Sequence, residues 1–414
     1  MVGANEIEDP PLLPDERTRQ RGLMVMLADT FLMWGGFFMV IPLISVHFVD
    51  DRGWDPTAIG LLLGVRQVTQ QGLTLVGGAL ADRLGARGLI AIGMLVRAFS
   101  FVLMGFATTY PVLMASVLLA ALGGAMFDSP SSAAIAALTR EDERSRFYSL
   151  LGVVGGLGMT IGPLLGAVLL RLNFSLVAFV AAASFFIAFG VTFFLLPPVR
   201  VATGTRGLLE GITMALHDRR FVMFNLLLMG YWFMWVQLTI SMPLLARAVS
   251  GTNDAVSWIY ALNSVMGIVL QYPVLWLAER WLRPSSTLVV GIALMALALG
   301  SVAFVHTVAA LLLSVSLFAL GRLLASPSQQ TVAASLANPA ARGSYFGVNA
   351  LALAFGGGFG NAVGGMLYGY ALHIHAPQLP WLIFGAVGLL SAVGLALFAL
   401  REARALASNV TVLP

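Results

Sequence analysis

Five charged residues lie inside long apolar stretches of the sequence: Asp29, Arg66, Arg97, Asp128 and Arg322. A charged side chain at the centre of a bilayer costs at least about 2.5 to 3.5 kcal/mol on insertion scales, so each one needs a functional or structural reason. A buried carboxyl can take up and release a proton, and a guanidinium can bind a carboxylate or another anion. These residues therefore predict a proton-exchanging site within the apolar part of the chain.

Four of these charges lie in the first part of the chain, so we place proton coupling there, with Asp29 or Asp128 as the carboxyl that exchanges the proton. Asp29 and Arg97 lie at comparable depths in their helices and are possible partners. Other roles stay open. Asp128 comes just before a proline and could satisfy backbone groups that the proline frees. Arg66 could hydrogen bond to carbonyl groups, and Asp128 could pair with Arg322.

The apolar stretches around these charges are long enough to cross a membrane. The chain has 414 residues, of which 59% are hydrophobic and 10% are charged, whereas a soluble domain is about 45 to 50% apolar and about 25% charged. Runs of roughly 20 apolar residues recur about twelve times between Leu23 and Leu400. Lipid offers no partner to backbone N–H and C=O groups, and the runs lack the alternation of a barrel. The sequence therefore predicts an all-α polytopic membrane protein with about twelve transmembrane helices.

The arginines predict the orientation of these helices. All 23 basic residues are arginine. If both termini are cytoplasmic, Arg52, Arg171 and Arg247 lie outside, three more lie within the spans, and all the others face the cytoplasm. This distribution follows the positive-inside rule. We expect a multi-pass protein of the cell inner (cytoplasmic) membrane with both termini cytoplasmic.

A polar segment in the middle of the chain predicts two bundles. Patterns recur about 200 residues apart, since Pro42 aligns with Pro243 and Gly162 with Gly360. Parallel repeats of this kind place a substrate site between the halves near the membrane midplane. The predicted organisation is a disordered cytoplasmic tail (1–20), an N-terminal six-helix bundle (21–197), a cytoplasmic linker (198–220), a pseudo-symmetric C-terminal six-helix bundle (221–401) and a second cytoplasmic tail (402–414).

The loop after the second span reads GALADRLGAR and resembles the major facilitator superfamily at Gly78, Asp82, Arg83, Gly85 and Arg87. The resemblance implies the major facilitator fold and a loop that latches the cytoplasmic gate through breakable ion pairs. Glycines suit such a loop because they allow a tight turn and close helix approach. The alternative is that the arginines only anchor the topology and that Asp82 caps a helix.

The fifth span reads GMTIGPLLG, with Gly158, Gly162, Pro163 and Gly166 at the spacing typical of drug:proton antiporters. Small residues at this spacing let two helix backbones approach closely, and a proline bends the helix at a defined point. Generic glycine packing is the alternative. The resemblance to the multidrug-resistance members of this twelve-helix family extends over roughly residues 21 to 400.

The fourth span departs from the antiporter pattern. These antiporters usually carry an arginine early in that span, where this sequence has alanines at Ala120 and Ala121. A proton relay that uses such an arginine must be built differently here.

In the superfamily the first, fourth, seventh and tenth spans line the substrate cavity, and here the first and seventh supply the candidate residues. The residues expected there are Met33, Trp34, Phe37, Tyr231, Met234, Trp235 and Gln237. Aromatic faces and deformable thioethers suit lipophilic or cationic compounds. Each aromatic residue could instead pack against a neighbouring helix or face lipid.

The expected function is secondary active transport rather than catalysis: export of small lipophilic or cationic compounds by proton-coupled antiport and alternating access. The five histidines lack metal-ligand spacing and there is no cysteine, so we expect no catalytic residue, metal or cofactor. The expected partners are a small-molecule substrate, protons and the lipid bilayer, with no nucleic acid, and the expected state is a monomer. A carrier of one specific metabolite and a non-transporting membrane sensor remain alternatives.

Overall fold

The computed structural model describes residues 15–198, 208–338 and 341–410, apart from the side chains of some helical residues. These residues form helices and no strands. The helices are α1 Glu16–Ser45, α2 Pro56–Leu84, α3 Ala86–Gly105, α4 Tyr110–Leu138, α5 Glu141–Leu170, α6 Phe174–Leu195, α7 Leu208–His217, α8 Arg219–Trp235, α9 Ser241–Ser250, α10 Asp254–Glu279, α11 Pro284–Ser301, α12 Val308–Leu336, α13 Arg342–His373 and α14 Leu379–Val410.

The long helices confirm the predicted spans. Eleven segments of the described residues are long and apolar enough to cross a membrane, one of which combines α8 and α9. The second predicted span is α2, a continuous helix of 29 residues whose last turns carry side chains outside the described set. Short α7 lies within the predicted linker and packs through Gly211 against Ser344 of α13, a contact that the polarity of the segment did not predict.

Local sequence sets many of the helix ends. The side chain of Asn173 accepts a hydrogen bond from the backbone N–H of Leu176 at 2.7 Å, which caps the start of α6. Thr307 caps α12 in the same way through Ala310. These side chains satisfy N–H groups that have no partner within the helix. Gly85 separates α2 from α3 with φ +78°, a backbone conformation that favours glycine.

Paired glycine contacts show that the two halves repeat. A Cβ on Gly93 would lie 2.8 Å from the carbonyl oxygen of Gly123, so α3 and α4 approach to backbone contact. In the second half a Cβ on Gly291 would lie 2.6 Å from the carbonyl oxygen of Gly321, between α11 and α12. Such approach is possible only where both helices carry small residues. The matching contacts confirm two pseudo-symmetric bundles, α1–α6 and α8–α14.

The seventh predicted span, the first of the C-terminal bundle, is interrupted. α8 ends at Trp235, a short 3-10 segment follows, and α9 begins at Ser241. The backbone groups freed by this break are bonded to side chains. The Thr239 hydroxyl donates to the carbonyl oxygen of Val236 at 2.6 Å, and the Tyr260 hydroxyl donates to that of Leu238. A break inside a membrane is tolerated only when its backbone groups find such partners.

The two ends of the molecule differ in how the halves meet. We call the end that carries the first and last helical residues, Glu16 and Val410, the terminal end, and the opposite end the closed end. At the closed end Arg247 contacts Asp51 at 2.6 Å and Arg171 contacts Asp254 at 2.8 Å, and both pairs join the two halves. We call these two pairs the closed-end latch.

At the terminal end the ion pairs stay within one half. Arg19 pairs with Glu143 at 2.5 Å in the first half, and Arg220 pairs with Glu402 at 3.3 Å in the second. Among the side chains that the structure describes, no ion pair joins the halves at this end. Among the described side chains, the ion pairs that join the bundles therefore lie at the closed end.

Candidate functional site

A cavity of about 680 Å³ lies between the two halves. It lies on the terminal-end side of the hydrogen bond that Ser257 of α10 donates to the Pro163 carbonyl of α5, at 2.9 Å. Its lining comes from α1, α5, α10 and α12 and consists of Trp34, Leu151, Gly152, Val153, Gly155, Gly156, Met159, Asn263, Ser264, Gly267, Ile268, Gln271, Tyr272, Leu275 and Arg322. Pockets of roughly 300 to 1,000 Å³ accommodate drug-sized ligands. The cavity is thus large enough for a small organic molecule.

Most of the cavity wall is apolar, and its glycines leave room because they carry no side chain. A Cβ on Gly155 would lie 3.2 Å from the Trp34 ring, so the glycine lets that ring approach α5. The polar groups come mainly from α10, through Asn263, Ser264 and Gln271. An apolar wall with a few polar groups on one side is the usual composition of a small-molecule site.

Arg322 is the one charged residue among those lining the cavity. It lies midway along α12, and its Nη2 donates to the backbone oxygen of Asn263 over a long 3.4 Å. Its Nε and the side-chain oxygen of Asn263 are buried without a hydrogen-bond partner in the described part of the chain. The predicted pair of Arg322 with Asp128 is not formed in this structure.

Asp128 lies in a different network, inside the first half. Gln70 of α2 donates to Asp128 Oδ2 at 3.0 Å and accepts from Arg66 Nη1 at 2.8 Å. Gln67 accepts from the other terminal nitrogen of Arg66 at 3.0 Å. Gln70 therefore connects the carboxyl of α4 with the guanidinium of α2. Arg66, which the sequence suggested could bond to carbonyl groups, donates here to two side-chain amide oxygens.

Phe37 of α1 lies beneath two guanidinium groups. The centre of its ring is 5.1 Å from Cζ of Arg66 and 5.3 Å from Cζ of Arg97. A cation within about 6 Å of an aromatic face is attracted by the ring quadrupole. Phe37, predicted to line the cavity, is buried and supports the two arginines.

Arg97 of α3 reaches the place on α4 where the antiporter pattern has an arginine. Its Nε donates to the carbonyl oxygen of Ala120 at 3.2 Å. A Cβ on Gly124 would collide with its Nη2, so the absence of a side chain there makes room for the guanidinium. The alanines of the fourth span thus coincide with a guanidinium supplied by the neighbouring helix, which the motif alone could not reveal.

Asp29 is fully buried between α1 and α6, away from the cavity. The Thr192 hydroxyl donates to its Oδ2 at 2.6 Å, and its Oδ1 has no hydrogen-bond partner among the described groups. The pair with Arg97 suggested by helix depth is therefore replaced by a pair with Thr192. In the second half the equivalent contact joins Gly230 and Ser391 without a charge.

One of the residues predicted for the cavity on the first and seventh spans lines it, and the others do not. Trp34 lines the cavity, and Trp235 is partly buried outside the lining. Met33, Tyr231, Met234 and Gln237 are buried in helix packing. Gln237 donates to the carbonyl oxygen of Gly360 at 2.9 Å, so it stabilises the broken seventh span. The structure places the α5 and α10 residues at the cavity instead, and the mixed glycine and polar composition of those helices was the available signal.

The glycines of the fifth span lie against α1. A Cβ on Gly162 would lie 2.5 Å from the Gly35 carbonyl oxygen, and one on Gly158 would lie 2.9 Å from the Gly35 nitrogen. A Cβ on Gly166 would collide with the Met39 carbonyl. Pro163 accepts the bond from Ser257 across the halves. The motif therefore brings α5 into backbone contact with α1 close to the interface between the halves.

The predicted gating loop is described only in part. The side-chain environments of Gly78, Asp82 and Arg83 lie outside the described residues. Arg87 donates to the carbonyl oxygen of Phe193 on α6. Its guanidinium lies 5.8 Å from the centre of the Phe193 ring. Arg87 thus fixes the start of α3 to α6 at the terminal end.

Two repeated bundles of membrane-spanning helices around a shared cavity define a polytopic secondary transporter. The model of the Major Facilitator Superfamily matches residues 27–253 and 227–412. The chain belongs to this superfamily, and it is a transporter rather than an enzyme. Among the described residues, no group of three or more histidine, aspartate and glutamate side chains could hold a metal ion.

The similar proteins of known name agree with this assignment. The chain is 40% identical over 375 residues to the multidrug resistance protein MdtH of Proteus mirabilis (strain HI4320), covering 91% of this chain and 94% of that protein. It is 41% identical over 379 residues to MdtH of Sodalis glossinidius (strain morsitans), covering 92% and 94%. The predicted resemblance to multidrug-resistance members of the superfamily is confirmed.

Solved structures show the same fold at low sequence identity. A peptide transporter POT in complex with sulfate matches with a TM-score of 0.77 at 16% identity, over 93% of this chain and 95% of that one. The nucleoside transporter NupG matches with a TM-score of 0.78 at 16% identity, over 92% and 99%. These likenesses concern the fold alone.

Proposed function

We propose that the protein exports small lipophilic compounds by proton-coupled antiport through alternating access. The observation that carries the proposal is the cavity of about 680 Å³ between halves that ion pairs join at the closed end alone, among the described side chains. A rocking transporter in one of its two end states has this shape. The relatives named multidrug resistance protein support a broad rather than a narrow range of substrates.

The arginine distribution supports an inward-facing assignment of this state. If the terminal end is cytoplasmic, as the positive-inside rule requires, the cavity faces the cytoplasm and the closed-end latch faces outside. We further propose that the protein lies in the inner membrane as a monomer with both termini cytoplasmic. Residues 198–220, which contain α7, then form the cytoplasmic connection between the bundles.

We propose Asp128 as the carboxyl that couples transport to protons, with Asp29 as the second candidate. Asp128 lies among charged groups, since Arg97 and Arg66 interact with it electrostatically, whereas Asp29 is bonded to the Thr192 hydroxyl alone among the described groups. Asp128 is also joined through Gln70 to Arg66. A change in its charge therefore alters the electrostatics of a network between α2 and α4.

Dye efflux tests the proposal. Inverted membrane vesicles with and without the protein receive, in the outer buffer, a panel of lipophilic dyes that includes neutral, cationic and anionic members, and a proton gradient with an acidic lumen is then imposed. We expect protein-dependent dye movement that a protonophore abolishes. Movement that continues unchanged with the protonophore would indicate a facilitator. Absence of protein-dependent movement for every dye would contradict export of lipophilic compounds.

A further inference from the structure

The cavity wall carries one charge, and that charge is positive. Arg322 is the one charged side chain among the lining residues. Asp29 and Asp128, the two acidic residues expected to act within the membrane, are both bonded elsewhere, to Thr192 and Gln70. A cation entering this cavity therefore meets no carboxylate among the lining residues and meets a guanidinium instead.

Arg322 has no acidic partner among the described residues, and the Tyr231 phenol is the polar side chain that interacts with its charge. Its one hydrogen bond in the described structure is the 3.4 Å contact from Nη2 to the Asn263 backbone oxygen, and its Nε has none. By contrast, Arg66 has two amide partners at 2.8 and 3.0 Å. An arginine within a membrane normally pairs with an acid or with carbonyl groups, because an unpaired charge there is costly. Arg322 is thus a donor whose hydrogen-bonding capacity is largely unused.

Arg322 lies at the depth where a residue could bind the substrate. It lies midway along α12, at the depth where substrates of transporters with repeated halves bind. Beside it, the buried Asn263 oxygen lacks a partner and can accept a hydrogen bond. Trp34 and Met159 supply apolar surface on the opposite side. The cavity therefore offers a cationic donor and an acceptor next to an apolar wall.

We infer that this cavity selects amphipathic substrates that carry a carboxylate or a comparable anionic group, which Arg322 binds, while their apolar body lies against Trp34 and the α5 glycines. The inference rests on the proposed export function and narrows its substrate class. A guanidinium and a carboxylate form two parallel charge-assisted hydrogen bonds when both are free to do so. The carboxylate of the substrate would accept the hydrogen bonds that Arg322 can donate and for which the protein offers no close acceptor.

The test compares ligands that share one apolar body. Dansylglycine carries a carboxylate, dansylglycinamide is its neutral amide, and dansyl ethylenediamine carries an amine. Their affinities are measured by fluorescence titration with the full-length protein in lipid nanodiscs, without a proton gradient. We expect the carboxylate to bind about tenfold or more tightly than the amide, since hydrogen bonds to charged groups have that magnitude. The amine should bind more weakly than the amide.

The variants separate charge recognition from general damage. Arg322→Gln should abolish the preference for the carboxylate and leave the affinity for the amide within about twofold, whereas Arg322→Lys should retain part of the preference. Arg283→Gln removes an exposed arginine of the same half, outside the cavity, and should change nothing. Equal affinities of the wild type for carboxylate and amide, no binding of the carboxylate, or equal losses for both ligands in Arg322→Gln would overturn the inference. Selective binding without gradient-driven transport would contradict the proposed export but support this site.

Discussion

Arg247 of the second half lies 2.6 Å from Asp51 of the first half, at the end of the molecule opposite both termini. The residues come from the ends of α9 and of the extended first span, so the contact ties one bundle to the other. Both side chains are partly exposed, which makes the pair weak enough to break. Together with Arg171 and Asp254 it joins the halves at the end that opens for release under the proposed alternating-access export.

Asp51→Asn should weaken the closed-end latch and favour the state in which this end is open. A partly exposed ion pair contributes up to about 1 kcal/mol, so the population should change by at most about fivefold. Because the chain contains no cysteine, a single cysteine at buried Val256 can report the change. We expect its maleimide labelling rate to rise about two- to fivefold in Asp51→Asn.

Glu402→Gln is the matched control for this experiment. It removes the carboxylate that pairs with Arg220 within the second half, at the terminal end. Its labelling rate at Val256→Cys should equal that of the unaltered background. A similar increase in both variants would mean that the closed-end latch does not hold this end shut.

Asp128→Asn and Asp29→Asn should have different effects on gradient-driven efflux. Asparagine at position 128 can still bond to Gln70 but cannot carry a proton or balance Arg66, so gradient-driven efflux should be lost. Asparagine at position 29 can still accept from Thr192, so efflux should persist. The vesicle assay measures both, with protein amount checked by blotting. Loss of efflux in Asp29→Asn alone would indicate that Asp29, and not Asp128, couples transport to protons.

Gln70→Leu should shift the pH dependence of efflux. Leucine is similar in size but removes the N–H that Gln70 donates to Asp128 Oδ2. The carboxylate then loses a hydrogen-bond donor, so the midpoint of the pH profile should move. Gln378→Leu, at an exposed position outside this network, should leave the midpoint unchanged. An identical pH profile in Gln70→Leu would exclude Gln70 from proton coupling.

The sequence predicted the spans, the repeat and the family, because apolar length and glycine spacing act locally. It did not predict the bridge from Arg66 through Gln70 to Asp128, since that contact depends on how α2 and α4 rotate about their axes. The contact of Arg97 with the Ala120 carbonyl was not predicted for the same reason, because it depends on the rotation of α3 and α4. A comparison of glycine positions about 200 residues apart could have found one signal in advance, because Gly93 and Gly123 recur as Gly291 and Gly321.

The cavity was predicted less well than the fold. The first, fourth, seventh and tenth spans were expected to line it. Trp34 of the first and Arg322 of the tenth do so, but the break after Trp235 turns Gln237 into a partner of the Gly360 backbone. A break of this kind depends on hydrogen-bond partners from other helices, and the hydropathy of a single segment does not contain that information.

Gly162→Ala should destabilise the protein. The added methyl would lie 2.5 Å from the Gly35 carbonyl oxygen, which is backbone and cannot move aside without separating α1 from α5. Overpacking of this kind costs about 1 to 3 kcal/mol. We expect a lower thermal unfolding temperature in detergent. Gly190→Ala, where no atom lies within 4 Å of the added methyl, should match or exceed the wild type. Equal unfolding temperatures for the two variants would contradict the close packing of α5 on α1.

Alternating access is tested most directly by distances measured with paired spin labels on the cysteine-free chain. One pair, Leu172→Cys with Thr252→Cys, reports the closed end of α5 and α10, and another, Arg146→Cys with Glu279→Cys, reports their terminal ends. The labelled proteins are reconstituted in liposomes and compared in alkaline and acidic buffer, with and without substrate. We predict a second population in which the closed-end distance is longer and the terminal-end distance is shorter, in equal fractions. Two distances that stay fixed, or that lengthen together, would contradict the rocking of two bundles about a shared cavity.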